Sequence, residues 1–165
     1  MEKMKGFTLF EILLAMAILG IISVSGFSAY TVSLQKARDS GRKKALQSMQ
    51  QALESYQNDY GVYPAGDEEG KVVACYTGNR SCEWGEEMAV NGRVYMQKLP
   101  LDPSAAYSMF YRTDTSRSKY QVYARLENAN DPAIPDAGSY DVVCGRANCN
   151  YGISSANAGV EDVLQ

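Results

Sequence analysis

Hydrophobic residues follow three patterns in succession along this chain. Residues 7–26 read Phe-Thr-Leu-Phe-Glu-Ile-Leu-Leu-Ala-Met-Ala-Ile-Leu-Gly-Ile-Ile-Ser-Val-Ser-Gly, an apolar run of roughly twenty residues, long enough for a helix to cross a bilayer. From Tyr30 the apolar positions return every three to four residues, at Tyr30, Leu34, Ala37, Gly41, Ala45, Met49, Ala52, Tyr56 and Tyr60. That period predicts an amphipathic helix with one face on a core. No proline stands between Phe7 and Tyr60, so both patterns fit one helix, stopped by Gly61 and turned away by Tyr63-Pro64.

Beyond Pro64 the period shortens. Residues 108–113, 120–126, 140–144 and 151–154 alternate in strand fashion and predict a small antiparallel sheet, with a turn at 114–118 and a longer loop at 128–138. Residues 65–70 are polar and glycine-rich and read as an exposed loop. Residues 86–99 predict a short helix offering Met88, Val94, Tyr95 and Leu99 to a core, ended by Pro100 and Pro103. A sheet this small needs a cover, and the stripe from Ala45 to Tyr60 is the long apolar face available. The expected fold class is therefore α+β, a long N-terminal helix packed on a small C-terminal antiparallel sheet.

Composition adds limits. The chain has 165 residues and a net charge of −3, so one modest domain follows the helix and nothing in the bulk charge points to nucleic acid. It contains no histidine, no glycine-rich phosphate loop and no recognisable nucleophile setting, and no enzyme is expected. The acidic runs 67–69 and 86–87 read as solvated surface, and most of the twelve tyrosines as core. One residue stands out: Glu11 lies inside the apolar run, where burial is costly unless the carboxylate is paired or protonated. Lys36, Arg38, Arg42, Lys43 and Lys44 outnumber Lys3 and Lys5 on the other side of that run, and a positive-inside count alone would place the C-terminal part in the cytoplasm. A basic helix face also serves lateral packing between subunits.

The cysteines argue for an oxidising space. Cys75 with Cys82 and Cys144 with Cys149 are sequence-local couples. Of the three connectivities available, the local one is expected, since it closes without crossing the sheet. Zinc is the rival, but neither spacing is the short Cys-x-x-Cys hook and histidine is absent. Loops this short gain little from a crosslink, so the bridges are expected to pin loops rather than hold the fold.

Lys3-Met-Lys-Gly6 followed by Phe7-Thr-Leu-Phe-Glu11 resembles the leader and mature start of the type IV pilin and pseudopilin family. The resemblance implies a membrane peptidase that cuts between Gly6 and Phe7 and methylates the new Phe7 amine. Glu11 then takes the position of the family's glutamate and Gly20 that of its glycine. Tyr56-x-x-x-x-Gly61-x-Tyr63-Pro64 and Leu99-Pro100-x-Asp102-Pro103 are similar to further family segments, most like the major pseudopilin of type II secretion systems. On this resemblance residues 1–6 are a cleaved leader, 7–30 a transmembrane and filament-core helix, and 31–165 a soluble pilin-like domain containing the amphipathic helix 31–60.

The function implied is that of a structural filament subunit, assembling through its N-terminal helix to drive secretion, adhesion, motility or DNA uptake. The implied partners are further copies of itself, other pilin-like subunits, the prepilin peptidase and an inner-membrane assembly platform. The precursor would be a single-pass membrane protein with its C-terminal domain outside the cytoplasm, and the mature form a periplasmic or surface filament. Elementary electrostatics agrees: a cationic Phe7 amine and the Glu11 carboxylate of a neighbour offset each other's desolvation and stagger subunits head to tail. No cofactor is expected. Many major pseudopilins bind calcium through an Asp-x-x-Ser-x-Gly type segment that is not evident here, and Asn128, Asn130, Asp131 and Asp136 are the oxygen donors to test for it. The alternatives are a conventional secretory signal cut after Ser25 or Ser28, and a monomeric membrane-anchored binding module that uses the C-terminal sheet and loops.

Overall fold

The computed structural model describes residues 6–76 and 79–164; Lys3 and Lys5 of the expected leader, and the side chains of Ser25 and Ser28, lie outside the described residues. The chain forms two units, Met1–Ala37 and Arg38–Gln165. A single helix, α1 (Leu9–Tyr60), begins in the first and ends in the second. Its start is capped by Thr8, whose carbonyl accepts the N–H of Ile12 at 3.3 Å. Its end is set by Gly61 at φ 75°, whose N–H bonds the Gln57 carbonyl at 2.7 Å. A left-handed residue just past the last turn is how glycine terminates a helix.

Within the second unit the buried face of α1 is Asp39, Arg42, Leu46, Met49, Leu53 and Tyr56, with Ala52 beside them. This is the expected stripe shifted round the helix. Met49, Ala52 and Tyr56 are buried as read, but Gly41 and Tyr60 face outward, and an ionic pair, Asp39 with Arg42, occupies the position that apolarity alone could not find.

Three small antiparallel groups complete the unit. β1 (Ala65–Gly66), β2 (Val72–Cys75) and β3 (Arg80–Ser81) form one sheet; β4 (Met88–Val90) and β5 (Arg93–Met96) form a hairpin; β6 (Phe110–Thr113), β7 (Tyr120–Ala124) and β8 (Tyr151–Ser154) form the third, in that order. The unit is α+β, the helix packed on small antiparallel sheets. A parallel bridge between Tyr76 and Val90 joins β2 to β4, and the N–H of Tyr111 reaches the Gly70 carbonyl at 2.8 Å.

Three expectations are corrected. Residues 86–99 form no helix: Asn91 and Gly92 stand at φ 51° and 81°, the paired left-handed geometry of a two-residue hairpin turn, and Met88 and Val90 alternate into the core. Residues 65–70 are not a plain loop but β1 and its turn into β2, where a Cβ on Gly70 would sit 2.3 Å from the Phe110 ring. Residues 140–144 make only an isolated bridge, Val143 to Asn148.

Every position of β7 is buried, because the third sheet is covered on both faces. Tyr120, Val122 and Ala124 meet the helix side, in one cluster with Leu46, Met49 and Leu53. Tyr123 faces the other way, into a second cluster with Val142, Cys144 and Cys149, backed by Phe110, Tyr140 and Val160. Disulfides join Cys75 to Cys82 and Cys144 to Cys149, with Cα atoms 5.4 and 5.1 Å apart. Each is a fully buried member of one of the two clusters, so they belong to the cores rather than merely pinning loops.

Candidate functional site

Gly6 and Phe7 precede α1 outside regular secondary structure, both exposed, with Phe7 at 84%. Thr8 and Glu11 form a reciprocal cap. The Glu11 Oε2 accepts the Thr8 N–H and the Thr8 hydroxyl, each at 2.9 Å, while Thr8 Oγ1 accepts the Glu11 N–H at 3.2 Å. This is the Thr-x-x-Glu capping box, a signal present in the sequence itself at Thr8 and Glu11. Among the described residues both of the bonds that Glu11 accepts fall on Oε2.

Past the cap, every side chain from Leu9 to Ser23 is exposed, and Leu9, Phe10, Met16, Leu19, Ile21 and Ile22 are each more than 60% so. A helix that is apolar all round has no stable existence in water. Gly20 has open space where a Cβ would stand. Among the described residues no helix is long and apolar enough to cross a membrane.

The basic stretch after this segment has a role that sequence reasoning missed. Arg38, Arg42 and Lys43 turn inward, toward carboxylates of the second unit, instead of outward for lateral packing. Arg42 is the centre: Nε and Nη2 hold the Asp102 carboxylate at 2.8 and 2.7 Å, Nη1 holds Asp39 at 2.8 Å, and Nη2 lies 2.9 Å from Glu127. Its side chain and those of Asp39 and Asp102 are almost wholly buried. Arg38 adds a second guanidinium on Glu127. Asp39 also accepts the N–H groups of Glu127 and Asn128, both at 2.9 Å. Arg38, bonded directly to Glu127 with Arg42 behind it, holds that carboxyl below the usual range. The network ties the Leu99-Pro100-x-Asp102-Pro103 segment and the start of the long loop to the helix. The available signal was the three-residue spacing of Asp39 and Arg42 inside an otherwise apolar stripe.

Two of the candidate calcium donors, Asp131 and Asn128, are engaged in bonds within the fold. Asp131 Oδ1 accepts from Lys43 Nζ at 2.6 Å and from the Ala133 N–H at 3.0 Å, and Asn128 Oδ1 accepts the Asn130 N–H at 3.3 Å. These are turn-forming and charge-pairing bonds. Among the described residues no three Asp, Glu, Cys or His side chains are grouped to hold a metal.

Comparison with known proteins bears on the N-terminal segment alone. The family described as the prokaryotic N-terminal methylation motif matches residues 1–27, the part that contains Gly6, Phe7, Glu11 and Gly20. No curated protein and no solved structure matches the chain. The chain thus carries, at its N-terminus, the methylation motif typical of type IV pilin-like proteins.

Proposed function

We propose that this chain is the precursor of a type IV pilin-like filament subunit, most similar to the major pseudopilin of a type II secretion system. A prepilin peptidase cuts between Gly6 and Phe7 and methylates the Phe7 amine, and the subunit waits in the membrane until it joins the filament. In sequence the apolar run continues through Val24 to Gly26, reaching the roughly 20 residues a spanning helix needs. The observation that carries the reading is the matched motif standing at the head of a helix whose apolar side chains from Leu9 to Ile22 are exposed.

Assembly then has a physical description. The Phe7 amine of one subunit is a cation in a low-dielectric contact, and a neighbour's Glu11 carboxylate, held through its Oε2 by Thr8, is the acceptor. Pairing them offsets two desolvation costs and repeats along an open array. The second unit, carrying its disulfides, faces an oxidising space outside the cytoplasm.

Intact mass of the mature protein from its native membrane tests this. The expected mass is that of a chain beginning at an N-methylated Phe7. A mass for cleavage near Ser25 or Ser28, or for an uncut chain, overturns it.

A further inference from the structure

A recess of about 560 Å³ opens on the second unit where the chain leaving β2, the start of β3 and the β4–β5 hairpin meet, lined by Tyr76, Arg80, Glu86, Glu87, Ala89 and Gly92. Its apolar floor follows from strand alternation. Met88 and Val90 enter the core, so Ala89 points the other way, beside its cross-strand partner Val94, which stays 47% exposed. Sequence alone reads Glu86 and Glu87 as solvated surface, whereas the fold makes both of them walls of this recess.

Two features of the recess have no role in folding. The first is Tyr76. Cys75 before it is buried in the core, and Tyr76 stands 71% exposed at φ 59°, a left-handed conformation that is strained for a bulky side chain and that glycine or asparagine adopts far more readily. The main chain imposes it, since the Tyr76 carbonyl accepts the Asn91 N–H at 2.9 Å within the bridge to Val90. The ring stays in solvent, with the Arg80 guanidinium 4.6 Å from its centroid. The second feature is Glu87. Arg80 Nη2 pairs with Glu86 Oε2 at 2.8 Å, and the same oxygen accepts the Glu83 N–H at 2.9 Å, so that pair is neutral and held in place. Among the described residues no hydrogen bond or ion pair engages the Glu87 carboxylate. One cation against two carboxylates leaves the recess a net charge of −1.

A ring held out of the core in a strained conformation, a small apolar floor and an unpaired carboxylate in one recess suit a ligand with an apolar stem and a cationic head. Arginine has both: methylenes to lie on Ala89 and along the Tyr76 ring, and a planar guanidinium that meets a carboxylate through two parallel N–H groups. An anionic side chain would be repelled by Glu87, and a neutral one would leave it unpaired. We propose that this recess binds an arginine side chain of a partner protein, with Tyr76 and Ala89 against its stem and Glu87 on its guanidinium. Exposed tyrosine is a residue type on which binding energy concentrates at interfaces. The inference does not depend on the filament reading.

The test titrates the ¹⁵N-labelled full chain, in detergent micelles at constant ionic strength, with N-acetyl-arginine amide and follows the amide signals of Glu87, Ala89 and Gly92. Saturable shifts are expected, with a Kd on the order of 1–10 mM for so small a ligand. N-acetyl-citrulline amide, the uncharged isostere, should bind about tenfold more weakly. Glu87→Gln, on an exposed residue, should weaken arginine binding by about tenfold while leaving the melting temperature unchanged. Shifts that stay linear, or equal binding of the arginine and citrulline compounds, overturn the proposal. Tyr76→Gly separates recognition from folding. It relieves the left-handed backbone, so the melting temperature is expected to hold or rise while arginine binding falls by about tenfold. A lower melting temperature with binding retained would make Tyr76 a structural residue and overturn its place in the site.

Discussion

Arg42→Ala is expected to destabilise the second unit by about 3–5 kcal/mol, the usual cost of removing one partner from a buried ion pair. The substitution removes four contacts of 2.7 to 2.9 Å and leaves Asp39 and Asp102, 2% and 1% exposed, without their central cation. The charges that stay behind keep their desolvation cost and lose its compensation. Against a total stability of about 5–15 kcal/mol, that loss lowers the melting temperature by on the order of 10–20 °C. Calorimetry of the full chain in detergent, disulfides intact, is the assay. Lys44→Ala, on an exposed residue two positions along the same helix, is the control and should stay within about 0.5 kcal/mol of the parent. The double variant Arg42→Met, Asp102→Leu should recover part of the loss, because replacing both partners by apolar groups removes an orphaned charge. If Arg42→Ala melts within about 2 °C of Lys44→Ala, the network is a surface ornament and the reasoning fails.

Glu11→Ala should leave the second unit folded, with both disulfides, yet sharply reduce the polymer recovered by shearing or crosslinking; normal polymer from that variant as the only copy would favour the monomeric binding module. Because the folded carboxyls of Glu127 and Asp131 lie below their ordinary values, the stability they contribute is present at neutral pH and is lost as pH falls below about 4. Glu127→Gln should lower the melting temperature at pH 7 and flatten its decline between about pH 5 and 3; an unchanged slope would rule out the linkage. Gly145→Ala should cost more than Gly92→Ala: both have positive φ, 78° and 81°, but a Cβ at Gly145 would meet the Ala106 carbonyl oxygen at 2.6 Å, whereas Gly92 has open space. Equal melting temperatures for the two variants would show that backbone strain alone governs.

Much of the N-terminal reading needed no third dimension. The leader-like residues before Phe7, the apolar run and the proline-free stretch to Tyr60 are properties of neighbours in sequence, and helix α1 and its stop at Gly61 follow from them. Strands β6, β7 and β8 were legible for the same reason, since alternation and turn residues act over a few positions. Elsewhere local signals competed. Residues 86–99 have apolar spacing compatible with a helix, and the Asn91-Gly92 turn decides against it only because β4 has a core to alternate into.

What tertiary structure alone decided is the pairing of distant groups. Arg38, Arg42 and Lys43 look like a solvated basic face until Asp102, Glu127 and Asp131, roughly 60 to 90 residues away in the chain, are brought to them. Gln121 reads as the polar face of a strand until residues 159–162 cover it. Charge and hydrogen-bonding capacity are set residue by residue, but whether a polar group faces water or is buried and satisfied depends on which segment folds over it. Pattern along the chain carries no record of that, because the bond that satisfies a buried donor spans loops whose length and course only the packed fold determines.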